Sequence, residues 1–300
     1  MATTFIRCPD WLIKKVPSAF ILAEMKALFD GLSLHTVCES ALCPNLGECF
    51  SHHTAAFLLM GGICTRNCRF CAISKGKPSS LDPYESWNVA RAVEKLRLKH
   101  VVLTSVTRDD LSDGGAAHFA KTINAIRETN PQTTVEVLIP DLRGSPNALR
   151  IIVDSCPEVI NHNLETVPRL YTVVRPKANY HRSLNLLWTV KSIAGRILTK
   201  SGLMLGLGEE FNEVVTVMEN LRAVECDFLT IGQYLAPSSR HHPVISYVAP
   251  KEFEEYKSLG ERMGFSSVAS GPFVRSSFKA AEMVAGYPYS GIPPLGMSKI

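Results

Sequence analysis

From about residue 55 onward, short apolar runs rich in β-branched residues alternate with longer amphipathic segments, and this alternation constrains the fold more than any other feature of the chain. Six runs predict strands: Ala55–Met60, His100–Val106, Thr134–Ile139, Val159–His162, Gly202–Leu207 and Asp227–Gly232. Between them the periodicity predicts helices, Ser86–Leu98 and Ala116–Glu128 among them, with Val89, Val93 and Leu96 forming an apolar stripe. Repeated strand–helix units build a parallel sheet, so the expected fold is α/β: an open, partial six-stranded parallel β/α barrel over 55–265. Residues 1–54 and 266–300 fall outside the units and read as N-terminal and C-terminal extensions. The closing YPYSGIPPLGMSKI is too rich in Pro and Gly for a helix or a central strand and reads as an extended arm. In such sheets ligands sit at the carboxyl ends of the strands, so the polar residues after each run are the places to look for chemistry.

Directly after the first run stands Cys64-Thr65-Arg66-Asn67-Cys68-Arg69-Phe70-Cys71, three thiols on one loop with no fourth nearby. A structural zinc site is closed by four ligands. A cubane cluster has four irons, so three cysteines hold it and leave one iron open to a substrate. A zinc knuckle that borrows a ligand from Cys38–Cys49 is the competing account, and iron and sulfide content separates the two. Six of the nine cysteines lie between Cys38 and Cys71 at tight, unequal spacings, which fits ligation better than a disulfide framework. Cys8, Cys156 and Cys226 stand alone and read as incidental or buried thiols.

Lys and Arg number 32 against 28 Asp and Glu, with no basic run, so no nucleic-acid footprint is expected. No stretch approaches the length of a membrane span, and the opening residues lack the apolar core of a secretory signal. The expected compartment is cytoplasmic, with the mature form of an organellar protein left open.

The loop with Cys64, Cys68 and Cys71 resembles that of the radical S-adenosylmethionine (SAM) superfamily, down to the aromatic Phe70 before the third cysteine. The resemblance implies a 4Fe-4S cluster whose open iron chelates SAM and whose electron cleaves it to methionine and a 5'-deoxyadenosyl radical. Upstream, Cys38, Cys43 and Cys49 make a second incomplete set, and Gly271-Pro272-Phe273-Val274-Arg275-Ser276-Ser277-Phe278 lies near the other end. With both motifs the chain resembles the lipoyl synthase family, as do CPDWLIKKVP, TSVTRDDLSDGG, EVLIPDL, NHNLETV, GLGE, GQYLAPS and HHPV, over about nine-tenths of its length.

That resemblance implies a second, auxiliary 4Fe-4S cluster on Cys38, Cys43, Cys49 and Ser277, sacrificed as the sulfur donor. A serine oxygen is a harder ligand than a thiolate, which suits a cluster meant to be dismantled. The implied reaction inserts sulfur at C6 and C8 of a protein-bound octanoyl-lysine to give lipoyl-lysine. Implied partners are an octanoylated lipoyl carrier domain (a 2-oxoacid dehydrogenase E2 or a glycine cleavage H protein), a low-potential donor such as ferredoxin or flavodoxin, and an iron-sulfur cluster carrier; no nucleic acid and no membrane are implied. Phe278 stands where the family commonly has tyrosine.

For SAM itself, Asn163 and Glu165 offer hydrogen-bonding groups, Arg175 a bidentate partner for the methionyl carboxylate, and Gly206 and Gly208 a close approach to adenine, with Glu209 opening the next helix. Asp109 or Asp110 is a candidate for the SAM ammonium, a solvated loop being the alternative. His241 and His242 read as exposed or near a partner surface. Two rivals remain. A methylthiotransferase acting on transfer RNA or protein carries a further binding domain, for which 300 residues leave little room. An electron carrier needs every iron ligated.

Overall fold

A computed structural model of the chain describes residues 7–14 and 18–285. The strands are β1 (Ala56–Leu59), β2 (Ile63–Cys64), β3 (Ser74–Lys75), β4 (His100–Ser105), β5 (Thr134–Leu138), β6 (Val159–Asn161), β7 (Leu198–Leu205), β8 (Phe228–Gln233) and β9 (Ser267–Gly271). The main helices between them are α4 (Glu85–Leu96), α5 (Ala116–Thr129), α6 (Pro146–Asp154), α8 (Tyr180–Ile193), α9 (Phe211–Ala223) and α10 (Pro250–Arg262). The short α7 (Tyr171–Val174) follows β6. Ahead of β1 lie α1 (Ala19–Gly31), α2 (Val37–Ser40) and α3 (Leu46–Ser51), and α11 (Ala280–Val284) ends the described residues.

Seven strands form one parallel sheet in the order β1-β4-β5-β6-β7-β8-β9, and β2 pairs with β3 apart from it. The expected open parallel barrel is present, but with seven strands rather than six. The added strand, β9, lies within the expected C-terminal extension, because the short Ser267–Gly271 carries no apolar run to announce it; only Val268 in it is buried. It pairs with β8 from Phe228↔Ser267 to Gly232↔Gly271. The proposed arm at 287–300 lies outside the described residues.

Alternation along each strand sorts the side chains to two faces. Val101 and Leu103, Val135 and Val137, Ile160 and Leu229 join the helix-covered core, with Val89 and Val93 of α4 and Phe119 and Ile123 of α5. The opposite face holds Val102, Glu136, Val159, Lys200 and Phe228. There α11 packs Met283 and Val284 against the first residues of β6 and β8, and Ala280 against Ala56 and Val102. Above it lies a fully buried ion pair, Lys200 Nζ donating to both Glu136 oxygens at 3.0 and 3.1 Å, joined by Asn161 Nδ2 at 3.0 Å. Burial opposes ionisation of Glu136, yet Lys200 and His100 hold its carboxyl down at about 2.

The N-terminal segment covers the exposed edge of the sheet. Thr36 makes an antiparallel bridge with Phe57, and the Leu58 N–H donates to His35 O at 2.9 Å. Behind that edge the rings of Phe29 and Phe50 stand 5.8 Å apart, and Phe29 meets Phe57 edge-on at 5.9 Å.

Candidate active site

The cysteine loop leaves β1 through Met60, whose left-handed φ of 68° is costly for a residue with a side chain. Both oxygens of buried Glu85, on α4, accept the Met60 N–H at 3.1 and 2.9 Å, and His118 Nε2 on α5 meets the same carboxylate at 2.5 Å. From there Cys64 pairs with Lys75 in the β2–β3 ladder. Thr65 exchanges bonds with the turn after β4: its N–H and hydroxyl donate to Thr107 O, and the Asp109 N–H donates to its Oγ1. Arg66 is buried and spans two strand ends, bidentate to Asp109 at 2.8 and 2.9 Å and to Asp141 at 2.6 Å. The loop is therefore held by charge and backbone bonds before anything binds to it.

Asp109 is thus committed to Arg66, and Asp110 to Arg108 at 2.8–3.2 Å, so neither is the free carboxylate that the sequence suggested for an ammonium. Cys64, Cys68 and Cys71 are half-buried free thiols. Burial pushes the Cys71 thiol up to about 12 and raises Cys68, each further opposed by its neighbours in the triplet. Thiols so placed stay protonated until a cation replaces their protons. Thr107 N–H and Arg66 N–H already point at Cys64 Sγ, at 3.3 and 3.4 Å.

Across from the loop stand Asn163, Glu165 and Arg175. Asn163 Nδ2 donates to Glu165 at 3.1 Å and to Ser276 Oγ at 2.6 Å, while its buried Oδ1 has no partner among the described residues. Arg175 Nη1 donates to the carbonyls of Asn163 and Leu164 at 3.0 and 2.9 Å, and its buried Nε likewise has no partner among the described residues. Burial raises the Glu165 carboxyl, with Arg175 opposing, and the same Arg175 opposes the rise at Cys68. The three side chains are therefore grouped beside the cysteine loop with polar capacity to spare.

The Gly206–Glu209 turn differs from expectation. A Cβ at Gly206 would meet Gln233 Nε2 at 2.2 Å and Ser246 O at 2.4 Å, so the chain itself fills the space that glycine leaves open there. Gly208 has φ +111°, and its carbonyl accepts from Arg169. Glu209 does not open α9; it folds back to accept the N–H groups of Gly206 and Leu207, and Glu210 is the N-cap, closing a capping box with Glu213. His242, half-buried, joins this turn to the cysteine loop, contacts that neither exposure nor a place near a partner surface foretold. Its N–H donates to Arg69 O at 2.9 Å and its Nε2 to Leu207 O at 2.9 Å.

The second cysteine set lies on the turns around α2 and α3. A cavity of about 110 Å³ brings Cys38, Cys43 and Cys49 together with Arg275 and Ser277 from the other end of the chain, and with His100 and Val102 of β4. Burial pushes Cys38 up to about 12 and Cys49 to about 11, with Cys43 adding repulsion to both. No side chain or backbone group among the described residues hydrogen-bonds the Ser277 hydroxyl. The strap 271–278 is seated on β8 at Gly232, where a Cβ would lie 2.1 Å from Val274 O.

Among the described residues no three His, Cys, Asp or Glu converge on a single metal ion. Thiols that each hold a different iron of a cubane have no need to. Two sets of three free thiols, one with unpartnered polar atoms opposite and one around a cavity with a free hydroxyl, fit two clusters of this kind.

A parallel βα barrel with a three-cysteine loop after its first strand defines a class. The Radical SAM superfamily matches residues 58–221. In fold the chain is similar to methylornithine synthase (PylB), with a TM-score of 0.53 at 13% identity over 71% of this chain and 70% of that one. It is also similar to the FeFe-hydrogenase maturase HydG from Carboxydothermus hydrogenoformans, at 0.58 and 18% over 70% of this chain and 52% of that one. The protein is a radical SAM enzyme, which implies a 4Fe-4S cluster and SAM. It is 56% identical to the lipoyl synthase of Caldanaerobacter subterraneus subsp. tengcongensis over 92% of this chain and 96% of the relative, and 55% identical to that of Caldicellulosiruptor saccharolyticus over 91% and 96%. The chain belongs to the lipoyl synthase family. No helix among the described residues is long and apolar enough to cross a membrane.

Proposed function

We propose that this lipoyl synthase divides its reaction, the insertion of two sulfur atoms at C6 and C8 of a protein-bound octanoyl-lysine, between two cysteine sets. Cys64, Cys68 and Cys71 hold the cluster that binds SAM; Cys38, Cys43, Cys49 and Ser277 hold the auxiliary one. When bound, the first supplies the electron that cleaves SAM and the second supplies the sulfur. The observation that carries the reading is the cavity lined at once by three N-terminal cysteines and by Ser277, more than two hundred residues away.

The chain's own residues prepare both sites. Arg66, Glu85 and His242 fix the first loop, so its thiols need little reorganisation. Arg175 Nε and Asn163 Oδ1 would offer a donor and an acceptor to the methionyl end of SAM, and Glu165 would accept from its ammonium. Glu209 and Gly208 would act as positioning residues that shape a turn able to carry adenine, and Gly206 lets Gln233 pack beneath it. Asn163 touches Ser276, so the SAM side and the strap that bears Ser277 share one hydrogen bond. The barrel runs on past 265 to the end of β9 at Gly271, with the segments before and after it supplying the auxiliary set.

The family reaction requires a lipoyl carrier protein and a reductant. The carrier is an octanoylated 2-oxoacid dehydrogenase E2 domain or glycine cleavage H protein, the reductant a ferredoxin or flavodoxin, and an iron-sulfur carrier renews the auxiliary cluster; the setting is cytoplasmic. The test is to incubate reconstituted, reduced protein with SAM and an octanoylated carrier domain and to weigh the carrier. A gain of two sulfurs, with loss of two hydrogens in the disulfide form, is expected. An unchanged mass despite both clusters and 5'-deoxyadenosine formation contradicts the assignment.

A further inference from the structure

Lys14, in the CPDWLIKKVP segment that neither cysteine set uses, lies where the two ends of the chain meet. Its Nζ donates to Asn45 Oδ1 at 2.6 Å and to Glu48 Oε2 at 2.7 Å. The same ammonium stands 4.7 Å from the ring centroid of Phe273 and 5.2 Å from that of Phe278. Asn45 and Glu48 lie between Cys43 and Cys49, and Phe273 and Phe278 bracket Val274-Arg275-Ser276-Ser277. Fully buried Asn45 completes the link, its Nδ2 donating to Phe273 O at 2.7 Å.

One cation therefore binds the cysteine-bearing turn through two oxygens and the strap through two aromatic faces. Only 24% of the Lys14 side chain is exposed, so its contacts with the rings are partly desolvated, where such attraction is strongest. On its far side the strap is seated by Val274 against Gly232 and by Ser276 against Asn163. On the side of the cysteines, Lys14 reaches it through the two rings and Asn45 through the Phe273 carbonyl.

We propose that Lys14 is a positioning residue that latches the C-terminal strap over the auxiliary cavity and so holds Ser277 toward Cys38, Cys43 and Cys49. The proposal rests on Ser277 as a cluster ligand. It places control of the serine's departure in the N-terminal segment, outside the barrel. It also gives Phe278 a task its ring alone performs, so that the tyrosine hydroxyl common in the family is dispensable here.

The test compares Lys14→Met, which removes the charge and keeps the length, with Lys14→Arg, which keeps both ring contacts, in the reconstituted holoenzyme. Two readouts are used: hydrogen exchange of the amides of 273–278, and the rate at which a chelator removes auxiliary-cluster iron. Lys14→Met should raise both by roughly tenfold. Lys14→Arg should restore both to near the wild-type values, and 5'-deoxyadenosine formation should stay within about twofold in either variant. Unchanged strap exchange in Lys14→Met overturns the latch. Exchange raised equally in β4 and β5 also overturns it, because Lys14 would then be a general stabiliser. Ser277→Ala is measured in parallel. If it leaves auxiliary iron loss and the cluster's spectrum unchanged, the ligand reading fails; if it releases iron while Lys14→Met does not, the latch alone fails.

Discussion

The two cysteine sets present the same number of thiols and are built in opposite ways. The first is local: Cys64, Cys68 and Cys71 fall within eight residues on one loop, anchored to the ends of β4 and β5 through Arg66. The second is assembled: Cys38 and Cys49 sit on the short helices α2 and α3 with Cys43 on the link between them, and their cavity is completed by Arg275 and Ser277 from far along the chain. A local site inherits the rigidity of the barrel. An assembled one depends on two segments distant in sequence staying docked together. This suits the division of labour proposed, because the first site must survive each turnover and the second must come apart.

The largest effect expected is at the local anchor. Arg66→Ala leaves Asp141 buried without its strongest partner, at a cost of about 3–5 kcal/mol seen as a lowered Tm. It should also abolish 5'-deoxyadenosine formation while auxiliary iron remains. Retained SAM cleavage would show that the loop needs no such anchor. On the assembled side, Gly232→Ala forces Val274 O away and should destabilise the strap by about 1–3 kcal/mol. Chelatable auxiliary iron should rise and SAM cleavage persist, measured in the same preparation.

A pH effect belongs to the barrel that both sites share. His162 is buried with Nδ1 on Ile139 O at 2.8 Å and Nε2 on Ser183 Oγ at 2.9 Å, and burial holds it neutral, its pKa lowered to about 4. Below its ordinary value of 6.5 the unfolded chain takes up a proton that the folded one refuses, so stability falls as pH drops from 6.5 to about 4. The loss is on the order of 3 kcal/mol. His162→Gln should lower stability at pH 7 and flatten that slope in denaturant titrations. The smallest effect expected is that of Phe278→Tyr, which keeps the ring beside Lys14 and should change auxiliary iron retention by less than about twofold.

The same contrast governs what could be read from the chain. Strand periodicity and the spacing of Cys64, Cys68 and Cys71 are local patterns, and the parallel sheet and the loop after β1 follow from them. The seventh strand was missed because Ser267–Gly271 is half-buried and carries no apolar run. Ser277 could be associated with the early cysteines only by resemblance, since no local pattern joins positions so far apart. Long-range partners escaped in the same way: Arg66 with Asp141, His242 with Leu207, and Gly206 against Gln233 are pairings set by the fold, and a residue type alone does not announce them. Glu209 was misread by one position, because Glu210 competes for the same cap.

The central claim, that one set serves SAM and the other serves sulfur, is tested most directly by replacing Cys38, Cys43 and Cys49 together with alanine and reconstituting the protein. About four irons per chain and undiminished 5'-deoxyadenosine formation are expected, with no change in the mass of the octanoylated carrier. Loss of SAM cleavage, or sulfur still appearing on the carrier, would contradict it.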